Sequence, residues 1–327
     1  MFTNDDLSRA IAEDIFTIES VERFQSMLAQ EHALPQADEE NFRLISGFND
    51  IFVVIASLLV FVSAAWVMDD GVWASIVISL IAWGLTEVFV KQRRMALPAI
   101  VLLIAFLGGL FSFGMEVSHE TVFVAGLFAT MGAFVHWQRF RVPVTVAGGA
   151  AAISSMLIGL LLQLFPTLKD HWEILAFFFG IAVFALAMWW DTKDRKRTTS
   201  HSDIAFWLHL LAAPMIVHSV FMMLDVFEGE LSLLSIIAIL FLYVALSMIS
   251  LMIDRRAFMV SSLIYVLYAI SSLFSSGSAW GDGLPIGGLL IGGMLLVLTV
   301  YWAQARATVL GWAPEWIHPY VPASEAT

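Results

Sequence analysis

Ten apolar runs of 17 to 23 residues follow one another along the chain, at 51–68, 72–90, 95–114, 121–137, 143–165, 172–190, 204–224, 231–253, 257–274 and 284–303. A helix needs roughly 20 residues to cross about 30 Å of hydrocarbon. Hydrocarbon offers the backbone no partner, so a spanning segment must satisfy its own amide groups, as helices and closed barrels do. Barrel strands would read as short alternating segments, which these runs are not. The sequence therefore predicts an all-α polytopic transmembrane bundle of about ten helices, arranged as five antiparallel hairpins. A composition of 60% hydrophobic and 13% charged residues agrees with the membrane class.

Charge fixes an expected orientation. Of the 13 Lys and Arg beyond residue 50, 12 fall in alternate loops: Lys91, Arg93 and Arg94; Arg139 and Arg141; Lys193, Arg195, Lys196 and Arg197; Arg255 and Arg256; and Arg306. Lys169 falls opposite, among loops that carry Asp69, Asp70, Glu116, Glu120, Asp170, Glu173, Asp225, Glu228, Glu230 and Asp282. Short basic loops stay on the cytoplasmic side, so both termini are expected in the cytoplasm. The basic clusters follow an aromatic echo: Phe89 to Arg93, Trp137 to Arg141, Trp190 to Arg195 and Trp302 to Arg306. Two readings fit it, a duplicated hairpin or the shared preference of aromatics and Arg for the interface.

Residues 1–50 hold 11 acidic side chains against Arg9, Arg23 and Arg43, so most of the net charge of −12 sits in one tail. Leu7, Ile11 and Ile15, then Val21, Phe24 and Leu28, recur at helical spacing. The expectation is an acidic cytoplasmic hairpin of two amphipathic helices over 1–45, ahead of a transmembrane bundle over 46–306 and a Trp/Pro-rich tail over 307–327. No basic region precedes an apolar core in the first 50 residues, so no cleavable signal peptide is predicted. Nucleic acid is not an expected partner, since phosphate binding needs clustered Lys and Arg. Cysteine is absent, which removes thiol nucleophiles and thiolate metal sites. The outer loops span only 3 to 9 residues and the inner ones 13 at most, so any binding must occur in the bundle, at its surfaces, or through the tail.

Ionisable residues inside membrane helices are costly and point to function. Glu87 sits four residues before Lys91, near the cytoplasmic interface, where a carboxylate paired with Arg93 or Arg94 is the plainer reading. The seventh run carries His209, Pro214 and His218. Nine helical residues separate the histidines, about 13 Å of rise and opposite faces, so they cannot share one metal. Pro214 between them removes a backbone hydrogen bond and is expected to kink the helix. The histidines either line a polar path that titrates near neutral pH or hydrogen-bond to neighbouring helices as packing contacts.

Tyr265 and Tyr268, three apart on one face with Ser261, Ser262, Ser271 and Ser272 nearby, line a cavity or a hydrogen-bonding seam. Gly287, Gly288, Gly292 and Gly293, and Gly148, Gly149 and Ala152, predict close helix packing. They lack the strand and helix context of a phosphate loop. No cofactor or metal site is expected. Membrane lipid is an expected contact, with the 193–197 cluster suited to anionic headgroups.

The module over 7–28, with Glu22 and Gln25, followed by Asp38, Glu39 and Glu40 and by Phe48, Asn49 and Asp50 entering the first membrane helix, resembles uncharacterised bacterial multi-pass inner-membrane proteins that begin with a short cytoplasmic helical module. The resemblance implies an architecture and a bacterial inner membrane, and it supplies no functional residues. Function divides between a transporter or permease for a small solute or ion, and a non-catalytic sensor or assembly module whose cytoplasmic protein partner binds residues 1–45. An enzyme would need an acid and a base converging at one depth, for which Glu87, His136 and His209 are the available groups. No spacing demands that convergence, and the expectation is not an enzyme.

Overall fold

The computed structural model of the chain describes residues 13, 15–21, 23, 48–69, 71–119, 121–195, 197, 199–224, 226, 232–274 and 283–322. The chain divides into two units, Met1–Phe42 and Arg43–Thr327. In the first, a helical turn begins at residue 18, where the Thr17 Oγ1 accepts the Ser20 amide at 3.2 Å as an N-cap. Most of the hairpin expected over 1–45 lies outside the described residues.

The second unit is all-α among the described residues. Its helices are α1 (Phe48–Val67), α2 (Val72–Leu85), α3 (Ala96–Val117), α4 (Val122–Phe140), α5 (Val144–Leu164), α6 (Trp172–Lys193), α7 (Ser200–Met223), α8 (Leu233–Ile253), α9 (Ala257–Phe274), α10 (Gly283–Val300) and α11 (Trp302–Trp312). Helices α1 to α10 coincide with the ten apolar runs. Seven helical segments, containing α1, α2, α3, α5, α6, α7 and α8, are long and apolar enough to cross a membrane, and an eighth is reached if the bent pair of α10 and α11 counts as one span. Helix α4 falls short because His136, Gln138 and Arg139 close it, and α9 because its described apolar stretch, Ala257–Ser272, is shorter than a span. The tenth run does not continue straight to 303: the chain turns by 83° between α10 and α11. Large apolar side chains such as Leu59, Phe134, Phe241 and Leu289 face outward, which is the surface hydrocarbon would cover. The chain is a multi-pass membrane protein.

Helix α2 ends in a π-helical turn, Thr86–Gln92, and the basic loop that follows bends through Arg94 in the left-handed region (φ 54°). The other basic loops between consecutive helices turn the same way at Arg141 (φ 55°), Arg197 (φ 52°) and Asp254 (φ 55°). Glycine usually takes this helix-ending position, and these side chains accept it at a small steric cost. The three tightest hairpins are closed by basic loops: α6 with α7, α4 with α5, and α2 with α3.

Close crossings depend on glycines outside the expected ridges. A Cβ on Gly126 would stand 2.5 Å from the Met156 amide nitrogen, and one on Gly159 would run into the backbone of Phe123, so α4 and α5 meet backbone to backbone at two points. The α5 ridge also packs, Gly148 against Leu107 and Gly149 against Ala133. The α10 ridge does not: only Gly287 faces a neighbour, Ile270, while Gly288, Gly292 and Gly293 face open space. Helix α7 is the most enclosed, half of its central window being buried against 22 to 39% for the other spans. Its Ala213, Val217 and Phe221 join Ile236, Ile239 and Tyr243 of α8 and Tyr265, Val266 and Ala269 of α9 in one core.

Candidate functional site: a buried charge cluster on helix α7

Three ionisable side chains meet inside the bundle where α6, α7 and the turn between α8 and α9 come together. Asp191, in the last turn of α6, receives the Arg255 Nη2 on Oδ1 at 2.7 Å and the His209 Nε2–H on Oδ2 at 2.8 Å. His209 is wholly buried, and Asp191 and Arg255 are 2% exposed. The same Arg255 nitrogen lies 3.3 Å from both the carbonyl and the hydroxyl oxygen of Ser202.

Local structure explains how each group arrives. A helix C-terminus carries partial negative charge, so a carboxylate there gains nothing from its own helix and needs cations from elsewhere. Arg255 is supplied by the α8 stop: Asp254 adopts the left-handed conformation, and the Arg255 amide bonds back to the Ser250 carbonyl at 2.9 Å. That six-to-one bond is a Schellman closure, and it turns Arg255 inward. His209 reaches Asp191 because α6 and α7 are neighbours along most of their length. Its Nδ1 has no hydrogen-bond partner among the described residues and lies beside the Phe184 ring. With the carboxylate taking Nε2–H, Nδ1 is the nitrogen left to gain or lose a proton.

The second histidine of α7 belongs to a different contact. His218 Nδ1 pairs with the Tyr265 hydroxyl, and the Tyr265 ring stacks on Phe221 at 4.0 Å. One helix thus presents two polar contacts on opposite faces, one toward α6 and one toward α9. Pro214 between them does not interrupt the helix, which runs unbroken from Ser200 to Met223. Tyr268 is buried in the α7–α8–α9 core.

Glu87 lies elsewhere. Its carboxylate is held by Arg139 from α4, with Nε at 2.6 Å and Nη2 at 2.9 Å, and by Lys91 one turn on at 3.7 Å. It is a rim ion pair rather than part of the α7 cluster, and its partner is neither Arg93 nor Arg94. His136 bonds the Thr145 hydroxyl at 2.9 Å and packs among Trp83, Phe106 and Phe140. Glu87, His136 and His209 therefore sit in three separate sets of contacts. Among the described residues, no group of three His, Asp or Glu is placed to hold a metal ion.

A second network lies beside the cluster. Asp254 accepts Arg197 Nη1 and Trp302 Nε1, each at 2.7 Å. Arg306 donates to the Pro322 carbonyl at 2.7 Å, and Arg195 to the carbonyls of Val321 and His318 at 3.2 and 3.0 Å. The C-terminal segment is thereby tied to the basic loops, with Trp312, Trp316 and Tyr320 exposed as interfacial side chains would be.

Asp191 and Arg255 escape a sequence reading. The sixth run ends at 190, which leaves Asp191 looking like the first loop residue before Lys193, and Arg255 looks like one more topogenic cation. The available signal was a lone acidic residue on the apolar side of a basic cluster. No family model matches the chain, and no curated protein or solved structure matches it either.

Proposed function

We propose that this protein is a transporter or permease for a small solute or ion in a bacterial inner membrane, with its basic loops in the cytoplasm. The Asp191–His209–Arg255 cluster is then the ionisable element of its path. The observation that carries the reading is the burial of this cluster where the end of α6 and the α8–α9 turn meet α7. A buried ion pair gains little over well-packed apolar residues, and ionisable groups inside a membrane bundle commonly mark ion or proton pathways. The imidazole supplies a ring nitrogen, Nδ1, that can take up or release a proton. On its opposite face α7 carries the second polar contact, His218 with Tyr265, beyond Pro214, whose i−4 carbonyl has lost its usual donor. Alternation between two packings of α7 against α6 and α9 would expose each contact in turn.

The chain has no cysteine, so single cysteines report accessibility without background. Ala205 and Ala212 flank His209 at i−4 and i+3 and are fully buried. Ala205→Cys and Ala212→Cys are expected to react with a small hydrophilic thiosulfonate in native membranes, while the outward-facing Leu210→Cys is not. Protection of both buried sites to the same degree as Leu210→Cys would mean that no aqueous path reaches α7.

A further inference from the structure

We propose that a slot between α9, α10 and α11 binds one anionic phospholipid, with its phosphate on Arg256 and an acyl chain along the slot. The slot encloses about 160 Å³ and is walled by Met259, Leu263, Leu295, Leu298 and Trp302, with Arg256 at one end. Its lining is otherwise almost entirely apolar, so water finds few partners inside it and a hydrocarbon chain is the matching occupant.

The cation at its end is placed by the same turn that builds the α7 cluster. Arg255 and Arg256 are consecutive, yet the first is turned inward to Asp191 and the second is exposed. The Arg256 guanidinium lies 4.8 Å from the centre of the Trp302 ring, which orients it by cation–π contact. Among the described residues it has no carboxylate within ion-pair distance. Helix α11 leaves α10 at 83° and begins at Trp302, which puts that indole at the break where α10 ends. An apolar slot ending in an exposed guanidinium beside a tryptophan matches an amphiphile with an anionic head. Arg suits phosphate in particular, because its planar fork donates to two phosphate oxygens at once.

The full-length protein, purified in mild detergent and titrated with phosphatidylglycerol or phosphatidylcholine, tests this by native mass spectrometry of the retained lipid. Wild type is expected to retain phosphatidylglycerol at about fivefold lower concentration than phosphatidylcholine, the worth of one cation near an anionic headgroup. Arg256→Ala should bring the two lipids to equality, and Arg256→Lys should keep part of the preference. Val260, 65% exposed on the slot wall, can be enlarged without entering the core, and Val260→Phe should reduce retention of both lipids. An undiminished phosphatidylglycerol preference in Arg256→Ala, or unchanged retention in Val260→Phe, overturns the proposal. Displacement of phosphatidylglycerol by millimolar inorganic phosphate alone also overturns it, by assigning the cation to a free anion.

Discussion

Asp191→Ala is expected to destabilise the membrane unit by about 3–5 kcal/mol, the cost of breaking a buried ion pair from one side. The substitution takes the carboxylate from the Arg255 guanidinium, 2% exposed, and leaves His209 Nε2 without its acceptor. Arg255→Met should cost a comparable amount by leaving the Asp191 carboxylate at the wrong end of a helix dipole. The double variant Asp191→Leu, Arg255→Met removes both charges, and apolar replacements of a buried pair are often neutral or stabilising. It should therefore recover most of the loss. Unfolding in detergent, followed by intrinsic tryptophan fluorescence against increasing denaturant, measures all three. Single-variant losses below about 1 kcal/mol, the range of exposed pairs, would mean that water reaches the cluster in the resting state. The double variant also separates two roles: recovered stability with lost activity assigns the charges to function rather than to holding the helices.

The second large effect lies at the crossing of α4 and α5. Gly126→Leu should separate these helices, because its Cβ alone would meet the amide and Cα of Met156 at 2.5 and 2.6 Å, and backbone cannot rotate away. Gly159→Leu does the same against Phe123. Overpacking of this kind costs about 1–3 kcal/mol, and more where a helix must shift. Gly288→Ala is the contrasting case, since nothing lies within 4 Å of its Cβ. Replacing a mid-helix glycine with alanine there should stabilise by about 0.5–1 kcal/mol. Melting midpoints of the purified variants check both signs, and a Gly126→Leu variant that melts with wild type would place α4 and α5 farther apart than described.

These cases show why some of the structure could be read from sequence and some could not. The ten helices were legible because a span must be both long and apolar, a constraint carried by the run itself. Helix packing was not, because a small residue marks a contact only where a neighbour crosses it. Gly292 and Gly293 look identical in sequence to Gly126 and Gly159, yet face open space. The basic turns were hidden as well, since Arg94, Arg141, Arg197 and Asp254 take a conformation that sequence readers expect of glycine. Within the candidate site, the separation of His209 from His218 followed from helical period alone, and the structure gives each a different partner. The Asp191 and Arg255 partners lie 18 and 46 residues away from His209, across two different helix ends, and no local pattern links them.

The claim that α7 lines a translocation path is tested most directly in liposomes loaded with a pH-sensitive dye. Wild-type protein is compared there with Asp191→Leu, Arg255→Met and with His209→Ala, His218→Ala, each first shown to be folded. Wild type should carry proton or solute flux, and both double variants should lose it by at least tenfold. Folded wild-type protein that moves no proton or solute, or double variants that move them at the wild-type rate, would contradict a transport role for the buried cluster.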